Sequence, residues 1–237
     1  MLIAIDYGHS KKADDGAYGI LEEFKVNREY GSLVKKYLEQ LGHTVDVVSK
    51  DTCISESDAL KYRVQMEHKK KYDLYISCHA NCFNGIAEGC EVLYYSNSGK
   101  VYAEKVVNEI AKLGFKNRGA KFRDNLYVVK NTNAVAILIE PFFVDNKNDV
   151  QKYNADKLAR SIVKGITGQD VITQNDSKIA NVTQSGSKEL AKYYTLEFQK
   201  FYNETTKTKK PISEDSTWGE ETKKAYETLG KLMRGEY

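Results

Sequence analysis

The sequence predicts an α/β fold, a sheet layered by helices, followed by a small all-α C-terminal piece. Three observations carry this. Short apolar runs alternate with stretches of helical period along the first two thirds of the chain. One of those runs, Ala134 to Ile139, has no polar alternation, which marks a central strand buried on both faces. After Gly168 the composition turns to Gln, Asn, Ser, Thr and Asp before helical spacing resumes near Lys188.

Each element follows from its own pattern. LIAID at 2–6 is an apolar strand that runs into the loop Tyr7-Gly8-His9-Ser10. From Glu22 the period changes: Tyr30, Val34, Tyr37 and Leu41 recur at helical spacing, and Gly42 stops the helix. TVDVV at 44–48 reads as a strand, 56–69 as a polar helix, and DLYISC at 73–78 as a strand ending at His79. CEVLYY at 90–95 is expected to be a strand and 101–113 a helix. LYVV at 126–129 and AVAILI at 134–139 are expected as strands, and 147–166 as one amphipathic helix. The domain organisation is therefore 1–168, a linker at 169–187, and a helical unit at 188–237 with Leu190, Tyr194, Phe198 and Phe201 on one stripe.

Composition narrows the function. The chain has 237 residues, 41% hydrophobic and 29% charged, enough to bury a core and keep a polar surface. No apolar run approaches the ~20 residues of a transmembrane helix. A net charge of +3, with both signs mixed, gives no basic cluster that argues for nucleic acid. The four cysteines, Cys53, Cys78, Cys82 and Cys90, match neither a redox pair nor a cysteine zinc site, and free thiols are expected. MLIAIDYGHS has no basic n-region and no cleavage site, so no secretion signal is expected.

Four residues carry the chemistry. His9 sits just past a buried strand, where open α/β sheets bind ligands. Glu23 shares the core-facing stripe of its helix, and a carboxylate buried there needs a positive partner, which a metal ion would supply. Glu22, about 100° round the helix, points more toward solvent, and either glutamate could instead serve the helix dipole. His79 closes a strand and shares a face with Tyr75 and Ser77, whereas Cys78 points the other way. A thiol ligand or nucleophile at Cys82 stays open. Glu140 ends the buried run just before Pro141, as a general base or as a salt-bridge partner of Arg118 or Arg123. Two histidines and one carboxylate leave zinc's fourth position open, the arrangement of catalytic sites, in which zinc makes water a nucleophile near neutral pH. No H-E-x-x-H is present.

GHS at 8–10, Glu23, SCHAN at 77–81 and AILIEPFFVDNKND at 136–149, in that order, resemble the zinc-dependent N-acetylmuramoyl-L-alanine amidases of the type 3 class, found in phage endolysins and bacterial autolysins. The resemblance runs from residue 1 to about 166 and includes GCEVLYYSNSG at 89–99 and NRGAKFRDNLYVVKNT at 117–132. It implies a mixed sheet of about six strands flanked by helices. It also implies one Zn2+ held by His9, Glu23 and His79, with Glu140 as the catalytic glutamate. The family's Asp-Pro-Gly-His-Gly is here Asp6-Tyr7-Gly8-His9-Ser10, a departure that keeps the ligand. LEFQKFYNE at 196–204 and DSTWGEETKKAYETLGKL at 215–232 resemble a peptidoglycan-binding helical domain, in which Trp218 is either a sugar-stacking surface or a core anchor.

The resemblance implies cleavage of the amide joining N-acetylmuramic acid to L-alanine in bacterial peptidoglycan, with a C-terminal unit that binds cell wall. It further implies a phage-type endolysin, made in the host cytoplasm and acting on the wall after release, or an extracellular autolysin. Two rival readings are a non-catalytic peptidoglycan-binding protein and a zinc peptidase that cuts within the stem peptide.

Overall fold

The computed structural model describes residues 1–12, 14–172, 195–196, 198–200, 202–203, 212–215 and 217–233. Six strands form one sheet: β1 (Leu2–Asp6), β2 (Thr44–Val47), β3 (Leu74–Cys78), β4 (Cys90–Tyr94), β5 (Asn117–Phe122) and β6 (Val135–Glu140). Their order is β2-β1-β3-β6-β4-β5. Neighbours are parallel except β4, which runs antiparallel to β6. The mixed six-stranded sheet is thus present.

Helices cover both faces. Among the described residues these are α1 (Glu23–Gln40), α2 (Glu56–Glu67), α3 (Asn97–Ala111), α4 (Tyr127–Asn131), α5 (Lys147–Lys152) and α6 (Ala155–Thr167); a further helix, α7 (Glu220–Met233), belongs to a separate C-terminal unit. The main core joins Ile3, Ile5, Ile76, Ile137 and Ile139 of the sheet to apolar residues of α1, α3 and α6. The other face carries a smaller core in which Tyr75, Ala136 and Leu138 meet Val64 of α2 and Val128 and Val129 of α4. Strand alternation explains the division, because successive side chains leave opposite faces. β6 therefore buries both sides, as its unbroken apolar run requires.

Local chemistry sets the helix ends. Ser55, Ser96 and Asn154 cap α2, α3 and α6 by accepting from backbone N–H groups three residues on. Gly168 closes α6 in the left-handed conformation at φ 75°.

The structure corrects three expectations. LYVV at 126–129 is not a strand but the start of the short helix α4, whose Val128 and Val129 pack into the smaller core. The strand in this region is β5, whose NRGAKF sequence is polar and half exposed because it lies at the sheet edge. The single helix at 147–166 is two, α5 and α6, broken at Tyr153 and Asn154.

The chain divides into two compact units, Met1–Val171 and Ile172–Tyr237. Of the expected linker, residues 173–187 lie outside the described residues, as do Leu190, Tyr194 and Phe201 of the expected helical stripe. In the second unit, Phe198, Trp218 and Tyr226 form an aromatic cluster with ring centroids 5.6–5.8 Å apart. No described helix is long and apolar enough to cross a membrane.

Candidate metal centre and active site

The ends of β1, β3 and β6 meet at one rim of the sheet. Beyond β1 the backbone turns through Gly8 and His9, both in the left-handed region at φ 57° and 50°. A histidine there needs outside support, and two arginines give it. Arg63 of α2 donates to the His9 carbonyl at 2.7 Å. Arg28 of α1 donates to the same oxygen at 3.2 Å and to the Gly8 carbonyl at 3.0 Å. Arg63 is tied to buried Asp6 at 2.7 Å, and Tyr75 and Ser77 also donate to Asp6. Burial alone would raise the Asp6 carboxyl, but Arg63, His79, the Gly8 N–H and Ser77 bring it below its ordinary value.

The imidazole so placed meets Glu23 and His79. His9 Nε2 lies 2.9 Å and His79 Nδ1 3.1 Å from the same oxygen, Glu23 Oε1. One donor atom from each of the three residues fits within a 4.8 Å span. Glu23 is buried at the first turn of α1, on the stripe expected for it. Burial pushes its carboxyl up, but the bonds from His79 and His9 hold it far below the usual range. Burial opposes a proton on His9, yet its contacts with Glu23 and Asp14 raise its pKa. Two imidazole nitrogens and a carboxylate oxygen converging on one point suit a borderline divalent ion such as zinc.

The surroundings reinforce the fit. Asp14 takes the other His9 nitrogen, Nδ1, at 2.6 Å, the partner that fixes a ligating histidine's tautomer. The Ala17 N–H donates to Glu23 Oε2 and the Ala80 N–H to Oε1. At Gly16, φ is +76° and a Cβ would stand 2.8 Å from the His9 ring and 3.0 Å from Glu23 Oε2. Only glycine lets this loop close over the pair. Asp14, Gly16, Arg28 and Arg63 escape the sequence reading, since nothing in their spacing marks them; each acts by a contact across a loop or between elements.

Glu140 lies beside this group. Cys78 is in register with Ile139, and the His79 N–H donates to the Ile139 carbonyl, so Glu140 follows on the strand next to His79. Its Oε2 is buried without a hydrogen-bond partner. Burial, with the charges of Glu23 and Glu91, holds its carboxyl well above the usual range. The salt-bridge alternative does not apply to Arg118, which pairs with Glu91 instead. Glu22 faces Lys11 and Lys25. All four cysteines are free thiols, and Cys78 is buried in the main core, away from His79. Cys82 is not in the group of donors.

Two loops frame the site from the same anchor. The Ile20 N–H donates to the Val144 carbonyl, while Phe83 and Gly85 donate to the Asp145 carboxylate.

A family profile described as N-acetylmuramoyl-L-alanine amidase matches residues 3–169. An uncharacterized protein of Clostridium perfringens is 29% identical over 246 residues, covering 100% of this chain and 67% of that protein. The endolysin of Bacillus phage SPP1 is 33% identical, over 69% of this chain and 62% of its own length. Among solved structures, the catalytic domain of the CD27L endolysin, which targets Clostridia Difficile, superposes with a TM-score of 0.68 at 33% identity, over 73% of this chain and 99% of that one. The chain spans between 34% and 62% of the length of three further curated relatives, the phage endolysin among them.

Proposed function

The chain belongs to the N-acetylmuramoyl-L-alanine amidase family, and on that premise we propose that it hydrolyses the amide between N-acetylmuramic acid and L-alanine in peptidoglycan, with one zinc ion held by His9, Glu23 and His79. The observation that carries the reading is the convergence of these three donors within 4.8 Å at the sheet rim, next to Glu140. Zinc, when bound, makes water nucleophilic at neutral pH and polarises the amide carbonyl.

The chain's own residues do the rest. Asp14 fixes the His9 ring so that Nε2 faces inward. Arg28 and Arg63 hold the His9 backbone against strain. Glu140 acts as general base: it accepts the proton of the attacking water and delivers it to the departing amine. Burial and the neighbouring carboxylates raise its affinity for a proton, the direction that lets a carboxylate take one from water.

The second unit is proposed to bind cell wall. Trp218 and Tyr226 form part of an aromatic cluster yet stay 51% and 59% exposed, which leaves ring faces open to stack on sugars. An endolysin acting after release from a host cytoplasm, or an autolysin outside the cell, both accord with relatives that include a phage endolysin and a cell wall amidase.

The experiment is wall digestion with and without a chelator, with mass spectrometry of the products. The expected result is metal-dependent release of peptides with a new L-alanine amine, abolished in Glu140→Ala while that variant keeps its zinc. Lysis unaffected by metal removal would refute the reading, and new termini only inside the stem peptide would turn it into a peptidase.

A further inference from the structure

Glu140 has a charged neighbour across the sheet. Glu91 on β4 stands directly opposite Glu140 on β6, and residues so opposed project from one face. Glu91 is buried at 5% exposure. Burial would raise its carboxyl, but Arg118 Nε at 2.7 Å and Lys121 Nζ at 2.5 Å both donate to its Oε2 and bring it below its usual value.

Those two cations share a face only because β5 is irregular. Residues three apart on a regular strand leave opposite faces. Here the register between β4 and β5 shifts between Cys90 and Val92, and Gly119 takes φ 84°. The extra residue turns both Arg118 and Lys121 toward Glu91, as bulges beside functional sites do.

Two positive charges on one carboxylate leave a surplus. Arg118 and Lys121 are 32% and 30% exposed. Among the described residues, neither terminal amino group of the Arg118 guanidinium makes a hydrogen bond. The guanidinium stands 5.1 Å from the Phe143 ring, and Phe143 bridges to Asn81, two residues past His79. The surplus charge thus lies at the rim that carries His79 and Glu140, two strand spacings or roughly 10 Å from β6. The other arginines of the site, Arg28 and Arg63, are engaged by aspartates and main-chain carbonyls.

Resting on the amidase reading, we propose that Arg118 and Lys121 form a subsite for the carboxylate nearest the cleaved amide, the free α-carboxylate of the second residue, D-isoglutamate, of the stem peptide. The open side of the guanidinium fork matches a carboxylate in geometry and charge. A stem in which that group is an amide loses the charge, so the subsite selects stems by their amidation.

The test compares two substrates on the zinc-loaded full chain: N-acetylmuramoyl-L-alanyl-D-isoglutamate and the same compound with the carboxylate converted to an amide. The wild type should favour the acid in kcat/KM by about tenfold to a hundredfold. Arg118→Gln and Lys121→Gln should each lower that ratio, through KM for the acid. A cation that only neutralises Glu91 would slow both substrates alike and leave the ratio intact. A wild-type ratio near one, or a ratio unchanged in the folded variants, overturns the subsite. Lys121→Gln decides the matter if Arg118→Gln fails to fold. Cleavage of neither compound by the wild type, even on whole walls, overturns the amidase reading itself.

Discussion

Arg63 shows how much a single side chain can organise. It neutralises Asp6 and grips the His9 carbonyl in one buried network. Arg63→Met leaves Asp6 buried without its counter-charge, which should cost about 3–5 kcal/mol of stability, read by denaturant unfolding. Zinc affinity, measured by chelator competition in the fraction that folds, should fall as well. Glu140 predicts a dependence on pH. Its folded pKa lies above the unfolded value, so the native state keeps a proton that the unfolded chain releases. The associated stability is full below the unfolded pKa and is lost as pH rises through the folded one. In metal-free protein, Glu140→Gln should therefore raise the melting temperature near pH ~8 and make no difference near pH ~4. Equal shifts at both values would show that Glu140 is not held neutral. Glu23 and His79 were legible because helix phase and strand parity fix their direction, and His9 and Glu140 because they stand just past or at the end of a buried strand. Asp14 and Arg63 were not, because their partners lie across a loop or on another element.

The loop from Ser10 to Glu22 does for the site what no side chain can. Gly16→Ala would push a methyl into the His9 ring and Glu23, at a φ that disfavours alanine. Zinc affinity should drop about tenfold to a hundredfold, as when a supporting contact of a ligand is lost. The sheet should melt nearly as before, and calorimetry with and without zinc checks both. β5 and α4 mark where pattern reading stops. NRGAKF lies at an edge and has little to bury, so it lacks the apolar signature of a strand. LYVV has that signature, yet its two valines fill a helix facing the smaller core. For a four-residue apolar run, tertiary packing decides between helix and strand. β6 was unambiguous because its four central residues, Ala136 to Ile139, are buried on both faces.

For the molecule as a whole, the proposed wall-binding role of the second unit separates from catalysis. A chain ending at Ile172 retains the unit that holds His9, Glu23, His79 and Glu140. It should cleave small soluble muramoyl peptides at a rate close to the full chain, and sediment less with purified walls. Equal sedimentation would remove the targeting role. The reversal of β4 against β6 has a wider consequence. It brings the starts of β4 and β5 to the same rim as the ends of β1, β3 and β6, so the polypeptide visits that rim repeatedly and no contiguous half owns it. A copy nicked between α2 and β3 would strand His9 and Glu23 on one fragment and His79 and Glu140 on the other. Neither piece alone carries all three proposed zinc ligands, so on the proposed reading activity would require both parts of the sheet to come together.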